Sequence, residues 1–186
     1  RDAPLYERDT FDDDRVEIIK GSASMLFGKG STGGVVNQVS KQPFLMNQHE
    51  ASMTLGSGNE KRVAGDFNWQ TGQDSAFRLN VMAQDAKNWG AKQRKLGIAP
   101  TFRWGIGTRD EFSVGLYHLD TDGRSAYSHP WFIRDGRIVP TLPARNFYGF
   151  KSDKLDTQAT YGTISHTHRF DDGGQLKTQF RHGRYE

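Results

Sequence analysis

Arg15 to Pro43 reads RVEIIKGSASMLFGKGSTGGVVNQVSKQP, and the order of elements in this stretch decides the fold. Val16 and Ile18, flanked by the charges of Glu17 and Lys20, give a short β-type alternation that Gly21 breaks. Ser22 to Phe27 offer one or two helical turns, with Ser22 or Ser24 placed to accept from the first orphan amides. Gly28, Gly30, Gly33 and Gly34 supply a turn whose positions can take positive φ or let another backbone approach. Val35, Val36 and Val39 restart a strand, which Pro43 ends. The expected order is strand, short helix, glycine turn, strand.

That order excludes a nucleotide site. Gly28-Lys29-Gly30-Ser31-Thr32-Gly33 fits G-x-G-x-x-G, but the dinucleotide motif needs a strand before it and a helix after it. Here the helix comes first and a β-branched strand follows. About 20 residues on, where a ribose-binding carboxylate belongs, stands Ala51-Ser52-Met53. A phosphate-cradling P-loop fails because Lys29 is followed by Gly30 rather than Ser or Thr.

The stretch closely resembles the end of the plug domain of TonB-dependent outer-membrane receptors, in their siderophore-receptor branch. That branch reads V-E-x-x-K-G-P-x-x-x-L-F/Y-G-x-G-S-x-G-G-x-[IV]-N, and this chain departs from it with Ser22 in place of Pro. The preceding RDAPLYERDTFDDD resembles the catecholate-type members, so the likeness covers residues 1–43. It implies a plug of α+β type inside an antiparallel transmembrane β-barrel of roughly twenty-two strands. It also implies that Arg1 to Arg8 form an apical loop near the ligand. There Arg1, Tyr6 and Arg8 offer cations for an anionic ferric complex and an aromatic face for catechol rings. Lys20 falls where the family pairs a basic residue with barrel-wall carboxylates, expected beyond Glu186. Gly28, Gly30, Gly33 and Gly34 would be the tight turn joining the last plug strands.

Composition agrees with this reading. The 186 residues include no Cys, so disulfides and thiolate metal sites are excluded. No apolar run approaches the eighteen or so residues of a membrane helix. Arg1-Asp2-Ala3-Pro4 lacks the apolar segment of a signal peptide. A mean hydropathy of −0.76 is compatible with a barrel, where only alternate residues meet lipid. With 25 basic and 22 acidic residues and no basic run, nothing marks a nucleic-acid partner. Asp12-Asp13-Asp14 reads as a solvated loop, because the alternating acids and the distant Glu of a calcium loop are missing.

From about His49 onward the period becomes two. Ala51-Met53-Leu55, Val63-Gly65-Phe67-Trp69, Phe77-Leu79-Val81, Ile98-Pro100-Phe102-Trp104 and Phe112-Val114-Leu116 each hold one parity. Ala159-Tyr161-Thr163 and Leu176-Thr178-Phe180 continue more weakly, which makes about seven segments of bilayer-crossing length. Gly72–Ser75, Gly107–Asp110 and Asp171–Gly174 read as tight turns, and Ser57–Lys61 as a short first connection. Lys87–Lys95 and Thr121–Thr157 read as longer connections, so short and long ones tend to alternate. Trp69, Trp89, Trp104, Tyr117 and Phe170 near the segment ends suggest an interfacial aromatic girdle. The opposite parity carries Arg78, Asn80, Gln84, Arg103, Gln179 and Arg181, which a water-filled lumen tolerates and the dry core of a sandwich does not.

The expected architecture is therefore mainly β: residues 1–46 the C-terminal part of a plug, residues 47–186 the first barrel strands. Seven strands leave open edges in lipid, so the chain reads as part of a larger, monomeric barrel. Gly123 to Phe150 is aromatic enough to line a vestibule, with Tyr127, Trp131 and Arg134 as ligand candidates beside His129, Arg145 and Tyr148. His166 and His168 share a strand face at ligating spacing, but no third ligand of matching parity stands out, and no resident metal or cofactor is expected. No G-x-S-x-G elbow and no isolated carboxylate pair occurs, so no enzyme is expected. The resemblance implies an outer-membrane receptor that takes up a ferric siderophore and is energised by TonB of the inner membrane. Haem, cobalamin or a glycan are the alternative ligands, and a passive porin is disfavoured by the plug motif.

Overall fold

A computed structural model describes residues 7–21, 33–124, 132–139, 143 and 145–186. The expected helix at Ser22–Phe27 and the turn positions Gly28 and Gly30 lie outside these residues, as do Arg1, Tyr6, Tyr127 and Trp131. Among the described residues all regular structure is strand. β1 (Asp13–Lys20) and β2 (Gly34–Ser40) form an antiparallel pair with Ile18 opposite Val36 and Lys20 opposite Gly34. Gly34 sits at φ 145°, where a Cβ would lie 2.7 Å from the Ile19 carbonyl oxygen, so this position requires glycine.

The main sheet has seven antiparallel strands: β3 (Gln48–Gly56), β4 (Glu60–Gln70), β5 (Ala76–Asn88), β6 (Ala91–Trp104), β7 (Asp110–Arg124), β10 (Thr157–Arg169) and β11 (Gln175–Tyr185). Each pairs with its neighbour in sequence order, a meander interrupted only by the small hairpin of β8 (Phe132–Arg134) and β9 (Arg137–Val139). Strands of 9 to 15 residues meet or exceed the length that crosses a bilayer. The two-residue period thus gives the seven strands that it predicts.

The two faces of the sheet differ in kind. Met53, Leu55, Leu96, Leu116, Ile164 and Phe180 all project from one face and remain exposed. A soluble monomer rarely leaves so continuous an apolar surface in water, whereas a barrel wall presents it to lipid. The other face is covered by residues 7–12 and 41–44. Phe11, Met82, Ala99, Tyr117, Leu119 and Ala159 make its small apolar core.

Three sequence expectations change. Lys87–Lys95 is not a loop: β5 and β6 run through it and turn over Trp89 and Gly90, at φ 45° and 95°. Once strands leave the hydrocarbon they need no apolar alternation, so their polar ends look like loop. Tyr117 is not a rim aromatic but a buried residue stacked on Phe11, with ring centroids 5.4 Å apart. β1 begins at Asp13 and Asp12 is buried, so the acidic triplet is not wholly a solvated loop.

Candidate ligand-uptake wall and docked segment

The inward-facing cations demand anions, and residues 7–12 bring them. Arg62 holds Asp9 through two bonds, Nη1 to Oδ2 at 2.9 Å and Nη2 to Oδ1 at 2.6 Å, and Nη1 also donates to Gln84. Lys95 reaches Glu7 at 3.1 Å and Asp9 at 3.7 Å. Burial raises the Asp9 carboxyl, but the hydrogen bond and charge of Arg62, with Lys95 behind it, outweigh that and hold it below the usual carboxylate range.

Two residues further, Phe11 lies over Gly97, whose missing side chain makes the room: a Cβ there would stand 2.6 Å from the ring. Asp12 follows, accepting from Asn80 Nδ2 at 3.1 Å. Burial pushes its carboxyl up to about 7, the nearby Asp13 adding to this while Ser40, Lys41 and Arg78 oppose it.

The return leg is tied as firmly. Lys41 Nζ bridges to Asp66 at 3.0 Å, and Arg78 grips the same carboxylate through two bonds of 2.7 and 2.8 Å. Arg78 also donates to the Gln42 carbonyl and lies over the Phe44 ring, 5.2 Å from its centroid. Arg103 donates to the Pro43 carbonyl at 3.0 Å and pairs with Glu111. Asn68, buried, accepts from Phe44 N–H at 3.2 Å and donates to the carbonyls of Phe44 and Met46. Arg78, Asn80 and Arg103, the polar parity of the sequence pattern, are thus the groups that receive the N-terminal segment.

Two spaces border this contact. A cleft of about 790 Å³ lies between β2 and the wall, with Arg15, Gln38, Thr101, Arg103, Ser165 and Arg181 among its lining groups. A recess of about 390 Å³ lies beside the β5–β6 turn, lined by Glu7, Lys87, Lys92, Gln93 and Arg124, with Gln93 donating to Glu7 at 2.7 Å. Arg8, the described member of the apical trio, immediately follows Glu7. Arg134 is exposed at the tip of the β8–β9 hairpin. Lys20 is exposed at the end of β1 and makes no salt bridge among the described residues. Lys41 is a plug-side cation that does pair with the described wall, at Asp66.

Nothing in the sequence pattern marks Asp9, Phe11 or Lys41, and Asp12 reads there as part of a solvated loop. Their signal was available as charge balance, because Arg62, Arg78, Lys95 and Arg103 share the inward parity and need partners. The expectation that His166 and His168 have no third partner is also overturned. Asp110, read as the end of a turn, is the first residue of β7 and lies directly opposite His168.

No family profile matches the chain. It is similar to a protein described as a probable TonB-dependent receptor, BfrD, of Bordetella pertussis, at 31% identity across 99% of this chain and 26% of the relative. The catecholate siderophore receptor Fiu of Escherichia coli K12 is 29% identical, again over 99% of this chain and 26% of Fiu. The crystal structure of the siderophore receptor PiuA from Acinetobacter baumannii superposes with a TM-score of 0.89 at 27% identity, covering 97% of this chain and 27% of PiuA. The chain spans about a quarter of the length of these curated relatives.

Proposed function

We propose that this chain, which belongs to the TonB-dependent outer-membrane receptors, supplies the C-terminal part of the plug and the first barrel strands of a receptor that takes up a ferric siderophore. The supporting observation is the two-faced wall: apolar residues bare on one side, and on the other a ladder of Arg, Lys and Asn that holds residues 7–12 and 41–46. A passive porin has no use for that ladder, because its lumen stays open. The protein is a receptor of the outer membrane rather than an enzyme. Its energy comes through TonB, acting on parts of the plug outside this chain. Residues 1–46 form the plug portion and 47–186 the barrel portion, with the ligand reaching Arg1, Tyr6 and Arg8 from outside. Tyr127, Trp131 and Arg134 of the long connection are the further ligand candidates. A catecholate complex suits this set, since cations meet its negative charge and aromatic rings meet its catechols. No resident cofactor is needed, because the chelator already fills the coordination sphere of the iron.

Binding has to be converted into a signal, which requires only that the liganded and empty plug differ in affinity for TonB. The salt bridges on Asp9 and Asp66 are the groups that such a change would have to loosen. An iron-starved strain lacking its own transporters and carrying the full-length gene is expected to grow on ferric catecholates. Growth on hydroxamates alone, or growth that persists without TonB, would refute the assignment.

A further inference from the structure

We propose that Asp110, His166 and His168 form a binding site for a borderline divalent cation of the zinc class, on the bare face of the sheet. The site is independent of the uptake reading. His166 and His168 stand two apart on β10, so both imidazoles leave the same face. Asp110 on β7 is in register with His168 and diagonal to His166. His166 Nε2 lies 2.8 Å, and His168 Nδ1 2.7 Å, from the same Asp110 Oδ1, and all three donor atoms fall within 4.8 Å of one another.

Bonds of about 2.0–2.1 Å at tetrahedral angles put donor atoms about 3.3 Å apart, inside the range these atoms span. Small side-chain rotations therefore suffice, and the two hydrogen-bonded strands fix the backbone. The rings are also held from the side. Phe112 stacks on His166 with centroids 4.4 Å apart, and Phe170 meets His168 edge-on at 4.8 Å. Two neutral imidazoles and one carboxylate carry a net charge of −1, which favours a dication. Imidazole donors select zinc, copper or nickel over magnesium and calcium. The neighbouring cations are engaged elsewhere: Arg169 donates to Thr108 and Glu111, and Arg109 pairs with Asp171. The three ligands are partly exposed and sit at the rim of that face, beside the turn before Asp110 and past the lipid-facing Leu116 and Ile164, so a coordination position is left open to water. The cation would clip β7 to β10 at the aromatic end of the wall.

The test uses the full-length receptor in detergent, freed of chelator and titrated with Zn²⁺ and Co²⁺. One equivalent of Zn²⁺ is expected to bind, and Co²⁺ to give the visible absorption of a low-symmetry site. Both are expected to vanish in His166→Gln/His168→Gln, and Asp110→Asn to weaken Zn²⁺ about tenfold or more. Correct folding of each variant is checked by heat-modifiable gel mobility. Should the double variant fail that check, Asp110→Asn and wild-type footprinting decide, since Zn²⁺ is expected to protect His166 and His168 from diethylpyrocarbonate. Unchanged Zn²⁺ stoichiometry and affinity in the folded variants, or unprotected histidines, would overturn the site.

Discussion

Gly97→Val in the full-length receptor is expected to expel Phe11 from the wall and loosen the docked segment around it. Gly97 is in mid-strand on β6, paired across Met82 and Leu119, so its backbone has no room to retreat. The new Cβ would stand 2.6 to 2.7 Å from two carbons of the Phe11 ring, and the ring must leave. Phe11 is 6% exposed. Losing such a ring by Phe→Ala costs about 3–5 kcal/mol, and its stacking on Tyr117 adds about 0.5–1.5 kcal/mol beyond area. Phe11→Ala alone should approach the same loss, whereas Phe11→Ala/Gly97→Val should be milder than the sum, because the valine refills the hole. A nitroxide at the exposed Asp14 reads the result as increased mobility, and entry of large hydrophilic dyes reads it as a leaking lumen. Two single variants that both behave as wild type would show that Phe11 does not anchor the segment.

The second large effect is with pH: the docked segment is expected to hold more tightly at pH 5 than at pH 8. Asp12 has its carboxyl raised to about 7 when docked, against an ordinary value of 3.8. Between those values the docked state keeps a proton that the released state gives up, so stability falls as pH rises. The contribution is complete below about pH 4 and is lost as pH passes 7. At about 1.4 kcal/mol per decade of proton affinity it is on the order of a few kcal/mol. Asp9 acts with the opposite sign. Its lowered carboxyl gives a contribution present above its ordinary range and lost on acidification. Asp12 therefore governs the interval from pH 4 to 7, and Asp9 the region below it. The same nitroxide followed from pH 4.5 to 8.5 should show an ordered spectrum giving way to a mobile one, and Asp12→Asn should stay ordered throughout. An identical pH curve in Asp12→Asn would assign the effect to another group.

The barrel strands were legible because their outward residues must be apolar and their inward ones need not be. Met53, Leu96, Leu116 and Phe180 obey that rule, and the seven strands follow from it. Trp69, Trp104 and Phe170 were read as girdle residues for the same reason; their rings meet those of Phe77, Phe112 and His168. What alternation cannot express is contact between distant segments. Asp12 looks identical to Asp14 in the sequence, yet one meets the buried Asn80 and the other an exposed neighbour, Arg15. Tyr117 sits at a parity and height that bury it only because Phe11 arrives from 106 positions earlier. Asp110 pairs with two histidines 56 and 58 residues away, a relation set by strand register rather than by spacing. Lys87 to Lys95 was misread for the converse reason, since strands that rise into water lose the signal that betrays them.

A corked barrel requires one side of the wall to be wet and the other to face lipid. Nitroxides placed singly at Val114, Leu116 and Ile164, and at Ser113, Thr163 and Ser165, in the full-length receptor in bilayers measure this directly by collision with oxygen and with a water-soluble nickel chelate. The first set is expected to favour oxygen and the second the nickel chelate, residue by residue in alternation. Equal accessibility of both sets, or the reverse order, would contradict a lipid-facing barrel wall with the N-terminal segment docked in its lumen.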